Sequence, residues 1–303
     1  MSSAPPPPGG PPGSLPSRPE LPEGVWRPEP PAPDRGALPR WPLWSPFAGM
    51  LGALIVAIVG VGVIALVVEL AGVESSGDPP PGVTIGGTYV QDLALIGSAV
   101  LLARLLDAPA TPGKFGLRLP RLWPAVGWTL LAWAGFFAFS AIWAQLLDIT
   151  ESDDLPQELG VDGSTAALVA VAVLVCVLAP IAEELFFRGF CFTALRRTLG
   201  MLPAAVLTGA IFGAIHLGGT DIEFIVPLMV FGFFLCLLYV WTASLVPCIV
   251  LHALNNALAL GVSEDWGAAT VLAMAGAGAA VTLIVAPFAQ RGTDSETTMA
   301  VRA

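Results

Sequence analysis

His216 and His252 are the only imidazoles in 303 residues, and each lies in an apolar stretch. Glu183, Glu184 and Arg188 occupy a third such stretch, and Asn255 and Asn256 follow His252 within its own. Ionisable groups at membrane depth cost roughly 2.5–3.5 kcal/mol each, so those that persist usually have a task. A carboxylate withdrawn from water is a stronger base, and an imidazole or amide beside it can steer or stabilise a reacting group. Such a set suits proton transfer and hydrolysis.

Spacing assigns these residues to faces. Glu184 and Arg188 are i,i+4 and can pair along one helix, which leaves Glu183, about 100° around the helix, free to point elsewhere. His252 and Asn256 share a face by the same spacing, as do Phe212 and His216, so the Phe212 ring can pack beneath the imidazole. Counting ~1.5 Å of rise per residue, Glu183 lies about 20 Å from Arg196, His216 about 20 Å from Pro203 and His252 about 16 Å from Trp241. The three levels nearly agree. An ion pair or a lone histidine can simply glue helices together, but two histidines, a spare carboxylate and an Asn at one depth would be a costly glue. Gln91 and Asp92 fall near the outer end of another span, where a polar interfacial contact accounts for them.

The elements that must hold this set are membrane helices. Hydrophobic residues make up 55% of the chain and charged residues 12%, with mean hydropathy +0.77, which excludes a water-soluble globule. A net charge of −10 excludes nucleic acid as a partner. The expected fold class is all-α, a polytopic protein of the lipid bilayer with about eight transmembrane helices: 47–68, 88–106, 125–147, 165–190, 202–217, 224–239, 243–260 and 268–289. A continuous helix from Asp162 to Arg196 would run about 50 Å, so tilt, a projecting end or a break near Pro180 is expected. Glycine pairs such as Gly60 and Gly62, or Gly276 and Gly278, offer close helix approach. Cys176, Cys191, Cys236 and Cys248 read as buried hydrophobes.

Four parts are expected. Residues 1–46 carry 16 of the 29 prolines and read as a disordered cytoplasmic tail. Residues 47–164 supply three accessory helices, 165–260 the chemical core, and 261–303 a last helix and short tail. All thirteen Lys and Arg fall on alternate sides of the spans, while the opposite loops carry only acids. By the positive-inside rule both termini are expected in the cytoplasm. The acidic 148–162 stretch reads as a solvated loop.

In order, Glu183–Arg188 spells EExxxR, Phe212–His216 FxxxH and His252–Asn256 HxxxN. This resembles the CPBP family of intramembrane proteases, which includes the type II CAAX prenyl endopeptidases and the bacterial Abi proteins linked to bacteriocin immunity. The HExxH, GxSG and GxGD signatures of other protease classes are absent. The resemblance implies that Glu183 and His216 activate a water, that His252 and Asn256 stabilise the oxyanion, and that Glu184, Arg188, Phe212 and Asn255 support them. It implies a peptide or lipid-modified protein substrate, met from the cytoplasmic side. A divalent metal such as zinc on Glu183, His216 and His252 is one route. Metal-free chemistry is slightly favoured, since neither histidine belongs to a close-spaced ligand pair. A proton- or ion-coupled transporter, or a non-catalytic scaffold or immunity protein, is the alternative.

Overall fold

The computed structural model describes residues 38–72, 80–149, 164–217 and 219–291. The greater part of the proline-rich tail, most of the acidic 148–162 stretch and the last residues lie outside that range. The described residues belong to one compact all-α unit.

Seven of its helices are long and apolar enough to cross a membrane. They are α1 (Ser45–Leu70), α2 (Pro81–Leu106), α3 (Leu122–Leu147), α4 (Thr165–Leu199), α6 (Ile222–Thr242), α7 (Val246–Ser263) and α8 (Ala269–Val285). Between α4 and α6, α5 (Met201–Ala214) has 14 residues. That is about 21 Å of helix against ~30 Å of hydrocarbon. Of the eight segments expected, this one falls short because the chain leaves the α-helix early: the amides of His216 and Leu217 bond to the carbonyls of Gly213 and Ala214 in a tightened last turn. The outer surface is apolar, as lipid requires; Ile58, Val59 and Val63 of α1 are all exposed.

α4 absorbs its 35 residues without breaking. Two stretches, Leu174–Leu178 and Leu185–Phe192, widen into π-helix. The first directly precedes Pro180, whose ring would crowd the carbonyl four residues back in a regular helix, and the wider turn relieves that. The second carries Arg188.

One end of the bundle is basic. The loop from Pro109 to Arg121 threads through it: Leu245 N donates to Gly116 O (2.8 Å), Tyr239 Oη to Phe115 O (3.3 Å) and Gln290 N to Leu117 O (3.0 Å). Two residues there, β1 (Arg118–Leu119), pair in parallel with β2 (Gln290–Arg291). Trp41 is buried between Phe115 and Phe190, with ring centroids 5.3 and 4.9 Å away, so the packing includes residues before the predicted residue 47. Nearby, Arg40 N and Lys114 Nζ both reach the Asp107 carboxylate. The Lys114 ammonium holds that carboxyl below the usual range, so the clasp is intact at neutral pH and weakens as pH falls through the lowered value. At the opposite end Trp143 Nε1 donates to Glu223 O (2.8 Å), tying the end of α3 to the start of α6.

α5 and α6 approach closely, backbone against backbone. A Cβ on Gly209 would lie 2.5 Å from Met229 O and 2.8 Å from Phe233 N, whereas Gly62 and Gly276, two of the glycines the sequence suggested, have open space. Gly209→Ala is expected to cost about 1–3 kcal/mol by overpacking. Thermal unfolding in detergent should show a lowered Tm for Gly209→Ala and none for Gly62→Ala.

Candidate active site

Glu184 is fully buried, and its Oε1 accepts two charge-bearing contacts: Arg188 Nη1 at 2.6 Å and His252 Nδ1 at 2.9 Å. Arg188 then reaches across to α6, where Nη2 donates to Gly232 O at 3.1 Å, and its guanidinium lies 4.5 Å from the centroid of the Phe212 ring. One carboxylate therefore couples α4 to α7 directly and to α5 and α6 through Arg188. The i,i+4 pair was legible in the sequence; the bond from Glu184 to His252 was not.

The two histidines end in the same state by different means. His216, just beyond the end of α5, sets Nδ1 2.8 Å from Phe212 O, and the two rings lie 5.1 Å apart. A carbonyl and a carboxylate only accept, so both imidazoles donate from Nδ1, and in the neutral ring both keep a lone pair on Nε2. His252 Nε2 lies 3.8 Å from Glu183 Oε2, beyond hydrogen-bond range. That oxygen has no hydrogen-bond partner among the described residues.

Glu183, His216, His252, Asn255, Asn256 and Phe212 all line one cavity of about 500 Å³. Trp133 Nε1 donates to Asn255 Oδ1 (3.2 Å), which leaves the amide nitrogen of Asn255 unengaged; Asn256 Nδ2 donates to Val175 O (2.9 Å) in the first wide turn of α4. Glu184 and Arg188 stand behind the cavity wall.

The same cavity is lined by Thr84, Thr88, Gln91 and Asp92 of α2. Asp92 is 1% exposed and its Oδ2 has no partner among the described residues. Sequence reasoning placed it near the interface because it began the span at Thr88. The helix starts at Pro81, which sets Asp92 about 16 Å along it. The available signal was the polar stripe 84, 88, 91 and 92, which repeats at helical spacing.

Metal holding was tested on the donors themselves. Among the described residues no three His, Cys, Asp or Glu side chains gather closely enough to hold an ion as they stand. His252 gives its Nδ1 to Glu184 and stops 3.8 Å short of Glu183.

Residues 165–258 match the family model described as type II CAAX prenyl endopeptidase Rce1-like. Over that segment the chain is similar to this family. The segment covers about a third of the chain, starting at the first residue of α4 and ending within α7, and so contains Glu183, His216, His252 and Asn256. Asp92, which lines the cavity, and Trp133, which bonds to Asn255, lie outside it. No curated protein and no solved structure matches the chain.

Arg188→Met would leave the Glu184 charge buried with His252 as its one partner, and should cost about 3–5 kcal/mol in thermal unfolding. Arg188→Lys should recover only part of this, since a point ammonium cannot bridge Glu184 and Gly232 as a fork does. Adding Glu184→Gln to Arg188→Met should lose less than Arg188→Met alone.

Proposed function

We propose that the protein is an intramembrane endopeptidase in which Glu183 activates water for attack on a peptide carbonyl. The observation that carries this reading is the unpartnered Glu183 oxygen, facing a cavity that both histidine rings also line. The Rce1-like match over the same residues supports it.

In this reading a water sits against Glu183 and is held by a hydrogen bond to the Nε2 lone pair of His216. Glu183 takes one proton as the water oxygen bonds to the carbonyl carbon. The oxyanion that forms is met by the free amide hydrogens of Asn255 and Asn256, each worth about 10²–10³ in rate if well placed. Glu183 then passes its proton to the leaving nitrogen, the C–N bond breaks, and a carboxyl and an amine result. His252, pinned by Glu184, fixes the other wall of the pocket and faces Glu183 with Nε2. Phe212 and Phe231 keep that end of the cavity apolar, which strengthens each polar contact within it. Glu184 and Arg188 are positioning residues.

The test is turnover by purified full-length protein in detergent on a panel of fluorogenic peptides, prenylated and unmodified. Glu183→Gln and His216→Ala should each lower kcat by at least about 10²-fold with little change in melting temperature. Cleavage that survives Glu183→Gln overturns the assignment. A panel in which only prenylated peptides are cut would set the substrate class as lipid-modified tails.

A further inference from the structure

The direction in which the cavity runs carries information about the substrate. Its lining residues form three stripes: Thr84, Thr88, Gln91 and Asp92 on α2; Val171, Leu174, Val175, Ala179 and Glu183 on α4; His252, Asn255, Asn256, Ala259 and Ser263 on α7. Each follows one helix face. On α7 the stripe starts at His252 and ends at Ser263, the last residue of the helix, about 16 Å away. On α2 it starts three residues inside Pro81 and stops at Asp92. Gly219 and Thr220, in the loop between α5 and α6, complete the lining. The cavity therefore runs inward from the end of the bundle where α2, α4 and α6 start and where α5 and α7 finish, and it stops at Glu183 and His252.

That end is the acidic one. Among the described residues its helix termini and loops carry Glu69, Asp148, Asp221, Glu223, Glu264 and Asp265 and no Lys or Arg; Asp221 and Glu264 directly follow the lining residues Thr220 and Ser263. Arg40, Arg104, Lys114, Arg118, Arg121, Arg196, Arg197 and Arg291 all belong to the other end, around the 109–121 loop. Short loops rich in Lys and Arg stay in the cytoplasm. The expectation of cytoplasmic termini and the expectation of a substrate met from the cytoplasm therefore conflict, since the bundle stands between the basic end and the cavity.

We propose that the cavity opens on the noncytoplasmic face, and that its substrate is a basic polypeptide segment presented there, from an exported or outward-facing membrane protein. This rests on reading the site as a peptidase. Electrostatics supports the charge: acids flank the mouth without a counter-base, and inside it Asp92 offers a buried carboxyl oxygen with no protein partner, a ready acceptor for a cationic or hydrogen-bond-donating side chain. A segment rich in Asp and Glu would be repelled by the acids at the mouth.

Two experiments on the full chain test this separately from the chemistry. All four native cysteines are buried, so single introduced cysteines can be read above a low background. In spheroplasts expressing the protein, Thr220→Cys and Ala268→Cys should react with a membrane-impermeant maleimide at least tenfold faster than Thr198→Cys, which lies at the basic end and should label only after permeabilisation. The reverse order overturns the proposal even if the enzyme is active. Next, impermeant fluorogenic peptides with Lys or Glu flanking the cleaved bond are added outside spheroplasts. The Lys peptide should be cut with a KM several-fold lower than the Glu peptide, the gap narrowing at high salt, and Glu183→Gln should cut neither. Cleavage in detergent together with none from outside spheroplasts, or equal KM values, overturns the proposal. The expected labelling with no cleavage in detergent would instead remove the peptidase reading, and with it the substrate, while leaving the placement of the mouth.

Discussion

A single buried carboxylate, that of Glu184, organises the site. It sits where no water can reach it, between the guanidinium of Arg188 and the imidazole of His252, and both partners lie within 3 Å. Removing Glu184 or Arg188 leaves an unpaired charge in a medium that cannot solvate it, and removing His252 takes away a hydrogen bond that the buried carboxylate accepts. The consequences of the arrangement are local and definite. Arg188 is turned toward the Gly232 carbonyl on α6, His252 is held in one tautomer with Nε2 facing the cavity, and Glu183 is left at the wall without a partner. Two adjacent glutamates thus occupy different circumstances: Glu184 is fully buried and bonded through Oε1 to Arg188 and His252, whereas Glu183 lines the cavity.

Backbone features make that arrangement fit. Arg188 lies inside a widened stretch of α4, and Gly232 offers its carbonyl to Arg188 where α6 runs almost against α5. Since lipid provides no hydrophobic drive between helices, close contact at Gly209, Gly213 and Gly232 is what holds α5 and α6 together. The closeness also sets the last turn of α5, from which Phe212 presents its ring to Arg188 and its carbonyl to His216.

The sequence revealed those parts of this that depend on short spacing. The pairing of Glu184 with Arg188, the packing of Phe212 against His216 and the shared face of His252 and Asn256 follow from the helical repeat, and the structure has all three side by side. Contacts between distant helices were not legible. Nothing in the order of residues tells that Glu184 reaches His252, that Trp133 holds Asn255, or which glycines sit at an interface and which face open space. Asp92 was misplaced because the expected span began at residue 88: the helix is already under way at Gly86 and Gly87, which pack on Ile64 and Val61 of α1. Length misled at α5, whose apolar run outlasts its helix, while at Pro180, of the alternatives expected, a break is not found and a widened turn precedes the proline.

The most direct measurement is an experimental structure of the Glu183→Gln protein with an uncleaved peptide bound. The account requires the scissile carbonyl carbon to lie within reach of a water held between position 183 and His216, with its oxygen turned toward Asn255 and Asn256 and the chain leaving the cavity past Ser263. A peptide seated elsewhere, or one whose nearest carbonyl faces Glu184 or the basic end of the bundle, would contradict it.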